Sequence, residues 1–203
     1  LIYGPCEKIL AYPQSDSYIR KYGKMIQQNA EKLNVLILEL LEFRRLETGN
    51  KAPSIQRLPV SDKLQNIAES FGELAENKKL NYRLNIETGI EWNTDISCFN
   101  KIANNLISNA FKYTPEKGNI TIGLKIENQQ LILRVSNSGK GIAKENLNKV
   151  FDRYKILDSV ELNGKNSRNG LGLAICKSMV TLLNGEITIE SLSLIHISEP
   201  TRP

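Results

Sequence analysis

Long apolar runs and targeting signals are missing from this sequence of 203 residues. No uncharged apolar stretch reaches the roughly 18 residues that a membrane-spanning helix needs, so we expect no membrane contact for this chain. The first ten residues, LIYGPCEKIL, lack the basic start and the cleavage site of a secretory signal. They also lack an initiator methionine, so we expect a piece of a longer protein.

Cysteine and histidine are scarce. Cys6, Cys98 and Cys176 lie far apart and form no C-x-x-C pair, which argues against a zinc site and against a disulfide framework. Three small apolar core residues in a reduced, cytosolic setting explain them. The single histidine is His196, close to the end of the chain.

The charge is nearly balanced. Lys and Arg total 27 against 22 acidic residues, which gives a net charge of +5. Because the basic residues are scattered among acidic ones, a nucleic-acid partner is not favoured. A basic lining for a polyphosphate explains the small excess equally well.

The longest helical pattern covers residues 18–47. Apolar residues recur there at alternating spacings of three and four, which is the seam of a helical bundle or coiled coil. All of the eight seam positions except Asn29 are apolar: Ile19, Tyr22, Ile26, Asn29, Leu33, Leu36, Leu40 and Phe43. Asn29 either fixes the register between subunits or faces a neighbouring loop.

The residues around this helix resemble parts of a hairpin. Gly49 is its natural cap, and LIYGPCEKIL reads as the end of an earlier helix joined through the turn AYPQSDS. A hairpin with so little first helix cannot close a core alone. We therefore expect a homodimer formed through these helices.

Beyond Pro59 the pattern changes to alternating strands and helices. Ser61 and Asp62 are expected to open a helix that runs to about Lys79. Another helix is expected from about Asp95 to Tyr113, with Thr94 or Asp95 as its N-cap. Three strands alternate apolar and polar residues, with these apolar members: Leu80, Tyr82, Leu84 and Ile86; Ile120, Ile122, Leu124 and Ile126; Leu131, Leu133 and Val135.

The remaining elements complete a two-layer arrangement. The turn NQQ joins the last two of these strands. Helices are expected near 144–151 and 171–183, and a final strand is expected over GEITIES. One-sided strands covered by helices predict a two-layer α/β sandwich. The fold class is therefore α+β: a truncated helical hairpin followed by this sandwich.

The helix ending at Tyr113 has an unusual polar stripe. At about 100° per residue, Asn105, Asn109 and Lys112 fall nearly opposite the apolar residues, with Tyr113 at the edge. The stripe is either a solvent face or the binding surface for a polar ligand. Spacing alone leaves both interpretations open.

Two glycine stretches favour the second interpretation. NSGKGI, from Asn137 to Ile142, follows a strand, and NGLGLAI, from Asn169 to Ile175, opens a helix. Glycines at a helix start let backbone N–H groups approach an anion. Neither stretch extends to G-x-G-x-x-G and no G-x-x-x-x-G-K-[ST] occurs, so neither a dinucleotide fingerprint nor a P-loop is present.

In order, NLISNAFKYTP, NSGKGI, FDRY and NGLGLAI resemble the N, G1, F and G2 boxes of sensor histidine kinases. That family shares its GHKL nucleotide fold with gyrase, chaperone and mismatch-repair ATPases. Residues 1–48 resemble a truncated dimerisation and phosphoacceptor hairpin, most similar to that of hybrid kinases, and residues 49–191 resemble the ATP-binding catalytic domain. The resemblance implies ATP and Mg²⁺ as cofactors and a response-regulator receiver domain as partner. It also implies the cytoplasmic portion of a membrane-anchored sensor.

The resemblance assigns roles to the polar stripe. Asn109 would supply an oxygen ligand to Mg²⁺. Asn105 stands where the ATPase relatives carry a glutamate that activates water, and an amide cannot act as that base. Lys112 would offset phosphate charge, and Tyr113 would lie along the adenine.

The resemblance also assigns roles to the glycine stretches. Asn137 would face the adenine amine, Phe151 would anchor a lid over roughly 152–169, and Arg168 either reaches a phosphate or is a solvated lid residue. Phosphates would lie at the G2 stretch. The implied nucleotide-binding residues are Asn109, Lys112, Tyr113, Asn137, Gly139, Gly141, Ile142, Phe151, Arg168, Gly170, Leu171, Gly172 and Leu173.

Three departures from the family pattern matter. The usual aspartate of the G1 box is Asn137 here, which should weaken ATP binding by about 1 kcal/mol. No histidine precedes His196, so the chain should not autophosphorylate on histidine. The tail LSLIHISEPTR resembles the translation of a transposon-type sequencing adaptor, so residues 192–203 are expected to be non-native and poorly packed.

Two other functions remain open. The chain is either a kinase core, a GHKL-type ATPase, or a degenerate module that dimerises and docks a receiver without using ATP. The heptad helix and Asn105 argue against the ATPase, and Asn137 alone supports the degenerate module.

Overall fold

The structure, a computed structural model, describes residues 4–5, 16–47, 52–152 and 171–191. Most of the predicted first helix, the Gly49 cap, most of the lid and the tail from residue 192 lie outside these residues. The elements are α1 (Asp16–Glu47), β1 (Gln56–Pro59), α2 (Val60–Glu69), α3 (Gly72–Asn77), β2 (Asn81–Ile86), β3 (Glu91–Thr94), α4 (Ile96–Tyr113), β4 (Asn119–Glu127), β5 (Gln130–Asn137), α5 (Lys144–Leu147) and α6 (Gly172–Leu182). This mixed composition confirms the α+β class.

A three-stranded sheet of order β2-β4-β5 forms one layer of the sandwich. β2 and β4 are parallel, with Tyr82 opposite Ile120, and α4 lies in the connection between them. β4 and β5 are antiparallel, with Ile122 opposite Val135. The separate antiparallel pair of β1 and β3 includes a strand, β3, that the sequence analysis missed.

The predicted alternation along the strands is confirmed, except at one end. Ile120, Ile122 and Leu124 are fully buried in the cluster beneath the helices. Ile126 keeps 44% of its surface exposed because it lies near the end of β4, past the last residue that β2 pairs with. The apolar face of the sheet therefore stops short of the hairpin.

α4 is buried on two faces. One face packs on the sheet with α2, and the other packs on α6 together with Leu46 of α1. The helix starts where predicted, because the Asp95 carboxylate accepts hydrogen bonds from Cys98 N at 3.0 Å and from Ser54 N at 2.8 Å. Asp95 is thus the N-cap, and it also ties the incoming chain to the helix start.

The single helix expected over residues 61–79 is wrong. α2 ends at Glu69 and α3 begins at Gly72. Between them the Ser70 hydroxyl donates to the Ile67 carbonyl at 2.7 Å, and the Phe71 ring stacks on Phe111 with centroids 5.1 Å apart. The break turns an aromatic side chain onto α4, and an uninterrupted helical pattern gives no sign of this.

The strand expected over residues 185–191 is also wrong, because the described residues of this segment join no strand ladder. Its side chains still alternate, with Ile187 and Ile189 half-buried and Thr188 and Glu190 exposed. Alternation predicts which face is buried but not whether a partner strand is present. The segment ends beside the loop after β5, where Ile142 N donates to Ser191 Oγ at 2.7 Å.

The other two predicted helices are present but shorter. The helix expected near 144–151 ends at Leu147 and is followed by a turn, and the helix expected over 171–183 is α6. None of the described helices combines the length and the apolar character that a membrane span requires.

α1 is the predicted long helix, 32 residues in length. Tyr22 of the seam is buried, whereas the side chain of Phe43 lies outside the described residues. Large apolar side chains of the helix remain exposed, and we call the following six the apolar band: Leu33, Val35, Ile37, Leu38, Leu40 and Leu41.

Candidate active site

Asn105, Asn109 and Lys112 lie on the flank of α4, and all three are half-buried. They are therefore not on the open solvent face, which Asn104 and Ser108 occupy. The amides of Asn105 and Asn109 have no hydrogen-bond partner within the part of the chain that the structure describes. Their amide oxygens and nitrogens are therefore available to a ligand.

Gly172 brings the start of α6 against this flank. A Cβ atom on Gly172 would lie 2.9 Å from Asn105 Oδ1 and 3.6 Å from Asn105 Cγ. A side chain at this position would displace the Asn105 amide from the start of α6. The N–H groups at a helix start are unsatisfied and attract anions, so this contact joins an anion-favouring helix end to the Asn105 amide.

Gly139 brings the loop after β5 against the other end of α4. A Cβ atom there would lie 2.9 Å from the Tyr113 carbonyl oxygen and 3.7 Å from Asn137 Nδ2. Tyr113, Gly139 and Asn137 are therefore neighbours. The stretches NLISNAFKYTP, NSGKGI and NGLGLAI, which are far apart in sequence, thus meet along one helix.

Hydrogen bonds anchor the loop after β5. Ser138 N donates to the Asn119 carbonyl at 2.9 Å, and Asn119 N donates to Ser138 Oγ at 2.8 Å. Ser138 therefore positions its neighbours, Asn137 and Gly139. The sequence analysis missed this role, although Ser138 stands inside the NSGKGI stretch.

The Asn137 side chain is exposed and offers an acceptor. Its Nδ2 donates to the Ser138 carbonyl at 3.2 Å, which leaves Oδ1 for an external donor such as an exocyclic amine. Gly141 has φ +71°, a left-handed conformation that glycine adopts without strain. Ile142 is half-buried beside Ser191.

Tyr113 and Phe151 each have a lysine ammonium group near the ring. Lys112 Nζ is 5.5 Å from the centroid of the Tyr113 ring, and Lys177 Nζ of α6 is 5.7 Å from that of Phe151. Both distances fit cation–π contacts. Phe151 is half-buried, as expected of a residue that anchors a flanking segment.

The G2 stretch is described only in part. The Leu171 side chain is fully buried in the cluster between α4 and α6, so only its backbone is available to a ligand. Leu173 is half-buried. Arg168 and Gly170 lie outside the described residues.

The residues present fit a magnesium nucleotide better than a metal held by the protein alone. Among the described residues, no group of three or more His, Cys, Asp and Glu side chains could hold a metal ion. Asn109 offers the kind of oxygen that Mg²⁺ accepts, and phosphate oxygens and water would have to supply the rest.

Two buried thiols take no part in the site. Cys98 and Cys176 are fully buried, which confirms them as core residues. Burial raises the pKa of the Cys176 thiol to about 12. Such a thiol stays protonated and unreactive at neutral pH.

Comparison with known proteins identifies the family. Residues 94–201 match the family described as histidine kinase-, DNA gyrase B- and HSP90-like ATPase. The chain is 32% identical over 204 residues to Histidine kinase P4 of Formosa agariphila, which covers 98% of this chain and 14% of that protein. It is 31% identical over 200 residues to Hybrid signal transduction histidine kinase D of Dictyostelium discoideum, covering 95% of this chain and 13% of that protein. The chain therefore spans a small part of these curated relatives.

Solved structures share the fold. Acinetobacter baumannii histidine kinase AdeS superposes with a TM-score of 0.71 at 19% identity, covering 89% of this chain and 82% of that one. Full-length ShkA in complex with AMPPNP gives 0.69 at 20% identity, covering 92% and 40%. Histidine kinase ThkA in complex with response regulator protein TrrA gives 0.68 at 18% identity, covering 91% and 50%. These likenesses show the fold, and the family match shows that the chain belongs to the histidine kinase-, DNA gyrase B- and HSP90-like ATPase family.

Proposed function

We propose that residues 49–191 bind ATP with Mg²⁺ and transfer its γ-phosphoryl group to a histidine on a dimerisation helix. A receiver-domain aspartate would then take the group from that histidine. The observation that carries this proposal is the meeting of three distant stretches along α4, with Asn105 against Gly172 and Tyr113 against Gly139.

The printed descriptions of similar proteins support the proposed ligand and partners. ShkA is described in complex with AMPPNP, an ATP analogue, and ThkA in complex with a response regulator. Histidine kinase D of Dictyostelium is described as a hybrid kinase. We therefore propose a response-regulator receiver as partner, in the same parent chain or in another.

In the proposed site, the flank of α4 binds the phosphates. The amide oxygen of Asn109 would hold Mg²⁺, which offsets phosphate charge when bound. Lys112 and the start of α6 would add positive potential. Phosphoryl transfer depends mostly on such positioning and charge stabilisation.

Asn105 would favour a protein acceptor over water. An amide cannot take a proton from water at neutral pH, so hydrolysis would lack its general base. The neutral imidazole nitrogen of the acceptor histidine needs no such base to attack the γ-phosphorus. The new N–P bond would form as the bond to the bridging oxygen breaks, and ADP would leave.

At the other end of the site, Asn137 and Tyr113 would bind the adenine. Asn137 Oδ1 would accept from the adenine amine, and the Tyr113 ring would lie along the base. Gly139 and Gly141 would let the backbone approach it. Phe151 would anchor the lid, and the segment from Arg168 to Leu173 would cover the phosphates.

The parent protein is proposed to act as a homodimer through residues 1–48 and as the cytoplasmic portion of a membrane-anchored sensor. The chain itself has no histidine before His196, so phosphorylation would occur on an acceptor supplied in trans.

The decisive experiment mixes the chain with ATP, Mg²⁺ and an intact dimerisation helix that bears its histidine. We expect acid-labile phosphate on the helix. Asn109→Ala should abolish the transfer. Asn104→Ala, a change on the solvent face of the same helix, should leave it intact.

Two outcomes would replace the proposal. Steady ATP hydrolysis without an acceptor would favour the GHKL-type ATPase. Failure to bind any adenine nucleotide would favour the degenerate dimerising module.

A further inference from the structure

Three turns meet at one end of the three-stranded sheet: residues 78–80 before β2, residues 115–118 before β4, and residues 138–141 after β5. Hydrogen bonds tie them together: Lys117 N to the Lys78 carbonyl at 3.1 Å, Asn81 N to the Gly118 carbonyl at 2.8 Å, and Ser138 N to the Asn119 carbonyl at 2.9 Å. The third turn contains Gly139, which packs on Tyr113. This end of the sheet is therefore continuous with the base-binding end of the proposed nucleotide site.

Each turn carries one exposed lysine, and we call Lys79, Lys117 and Lys140 the lysine rim. Within the described part of the chain, none of the three ammonium groups forms an ion pair or a hydrogen bond. The acids closest to them along the chain are Glu76 and Glu116, so the rim keeps an excess of positive charge.

Two rim lysines occupy conformations that disfavour them. Lys79 has φ +54° and Lys117 has φ +61°, both in the left-handed region. A side chain is unfavourable there, whereas glycine adopts this conformation freely. Because both side chains are exposed, packing does not explain why lysine stands at either position. Lys79 follows the C-terminus of α3, where a left-handed residue is common and positive charge is favourable, so Lys117 is the position that the fold leaves unexplained.

We propose that the lysine rim attracts the triphosphate of the incoming nucleotide and speeds its association with the site. This inference rests on the proposed ATP-binding function. Positive charge near the mouth of a site raises the association rate of an anionic ligand, and salt suppresses the effect. At 10 mM salt such attraction extends about 30 Å, which reaches from the rim across the neighbouring site. The rim does not hold the bound nucleotide, so the dissociation rate is unaffected.

The test uses the double variant Lys79→Gly/Lys117→Gly. Glycine removes the positive charge at both positions and adopts the left-handed backbone conformation without strain. Stopped-flow fluorescence follows binding of a fluorescent ATP analogue with Mg²⁺ between 10 and 300 mM salt. The association rate should fall about threefold to fivefold at the lowest salt, and the difference should vanish at the highest. The dissociation rate should not change, and the melting temperature should stay equal or rise.

Two matched variants separate charge from other effects. Lys63→Gln/Lys125→Gln removes the same charge at the opposite end of the sheet and should change the association rate less than half as much. Lys79→Arg/Lys117→Arg keeps the charge and should keep the wild-type rate.

Several results would overturn the inference. An unchanged association rate in the glycine variant would reject steering while leaving ATP binding intact. Faster dissociation would make the lysines direct contacts instead. If the wild-type chain binds no nucleotide at all, the steering inference and the proposed function both fail.

Discussion

Asn137 is the residue at which a small chemical change should alter nucleotide affinity most directly. Its Oδ1 is a neutral acceptor, held in place because Nδ2 is bonded to the Ser138 carbonyl. A carboxylate would accept the same hydrogen bond with charge assistance.

Asn137→Asp is therefore expected to raise ATP affinity about fivefold, or about 1 kcal/mol. Isothermal titration calorimetry with ATP and Mg²⁺ measures the change. Ser136→Asp adds the same charge one residue earlier and should not reproduce the gain. A loss of affinity in Asn137→Asp would contradict the assigned role.

Gly139 lets the loop after β5 approach α4 because it has no side chain. In Gly139→Ala the new methyl group would lie 2.9 Å from the Tyr113 carbonyl oxygen, so the loop must move away from α4. Nucleotide affinity should drop at least about tenfold, because a small displacement disrupts a positioned contact. Gly72→Ala, where a Cβ atom meets nothing within 4 Å, is the control and should bind normally. Equal affinities in both variants would separate this loop from the nucleotide.

Cys176 makes stability depend on alkaline pH. Burial raises the pKa of its thiol from 9.0 to about 12, so the folded state favours the protonated form. Its contribution is fully present below pH 9 and is lost as pH rises from 9 to 12, at up to about 1.4 kcal/mol per pH unit. Urea unfolding at pH 8 to 11 should show this decline, and Cys176→Ala should flatten it. A decline of equal slope in the variant would assign it to other groups.

At the scale of elements, the hairpin between β4 and β5 uses a turn of unusual composition. Asn128 has φ +49° and Gln129 has φ +62°, as in a type I′ turn. Asparagine tolerates this conformation, whereas glutamine is strained in it.

Gln129→Gly should therefore stabilise the domain by roughly 1 kcal/mol, because Asn-Gly is the preferred sequence of this turn. Chemical denaturation measures the gain. Gln130→Gly, one position later and inside β5, should destabilise instead. If both changes destabilise, the turn is not of this type in solution.

The sequence predicted those elements whose pattern depends on their own residues. α4 and its Asp95 cap, α6 and the three strands of the main sheet all follow from periodicity and local hydrogen bonding. β3, the break at Ser70 and Phe71, and the unpaired segment at 185–191 were missed or wrong. Each of these depends on a distant partner: β1, Phe111 or a neighbouring strand.

For the candidate site, too, the sequence predicted local features and missed those that depend on distant residues. The residue types of the polar stripe and of the glycine stretches were recognisable in sequence. The contact of Gly172 with Asn105 and the anchoring of Ser138 by Asn119 were not, because each joins segments far apart along the chain. The sequence also did not reveal that Leu171 packs its side chain into the core, which leaves its backbone as the part that a ligand can reach.

For the whole molecule, most of the exposed large apolar side chains among the described residues lie on α1. Leu33 and Leu40 of the predicted seam are 51% and 41% exposed, and such side chains on one face of a helix favour burial against a partner. A second copy of the chain would bury them in the proposed dimer.

Leu33→Glu/Leu40→Glu is expected to shift the chain from dimer toward monomer, because two charges would enter the apolar seam. Analytical ultracentrifugation over a concentration series measures the equilibrium. Leu74→Glu alters a single exposed leucine on α3 and should leave it unchanged. A wild-type chain that is monomeric at all concentrations would reject the dimer for these residues.

The close approach of Gly172 to Asn105 has a consequence for how this protein can change over evolution. Two positions 67 residues apart share one small space, so a side chain at position 172 would push the Asn105 amide aside. Among descendants of this gene, a larger residue at 172 should therefore be found more often with a changed residue at 105 than with asparagine.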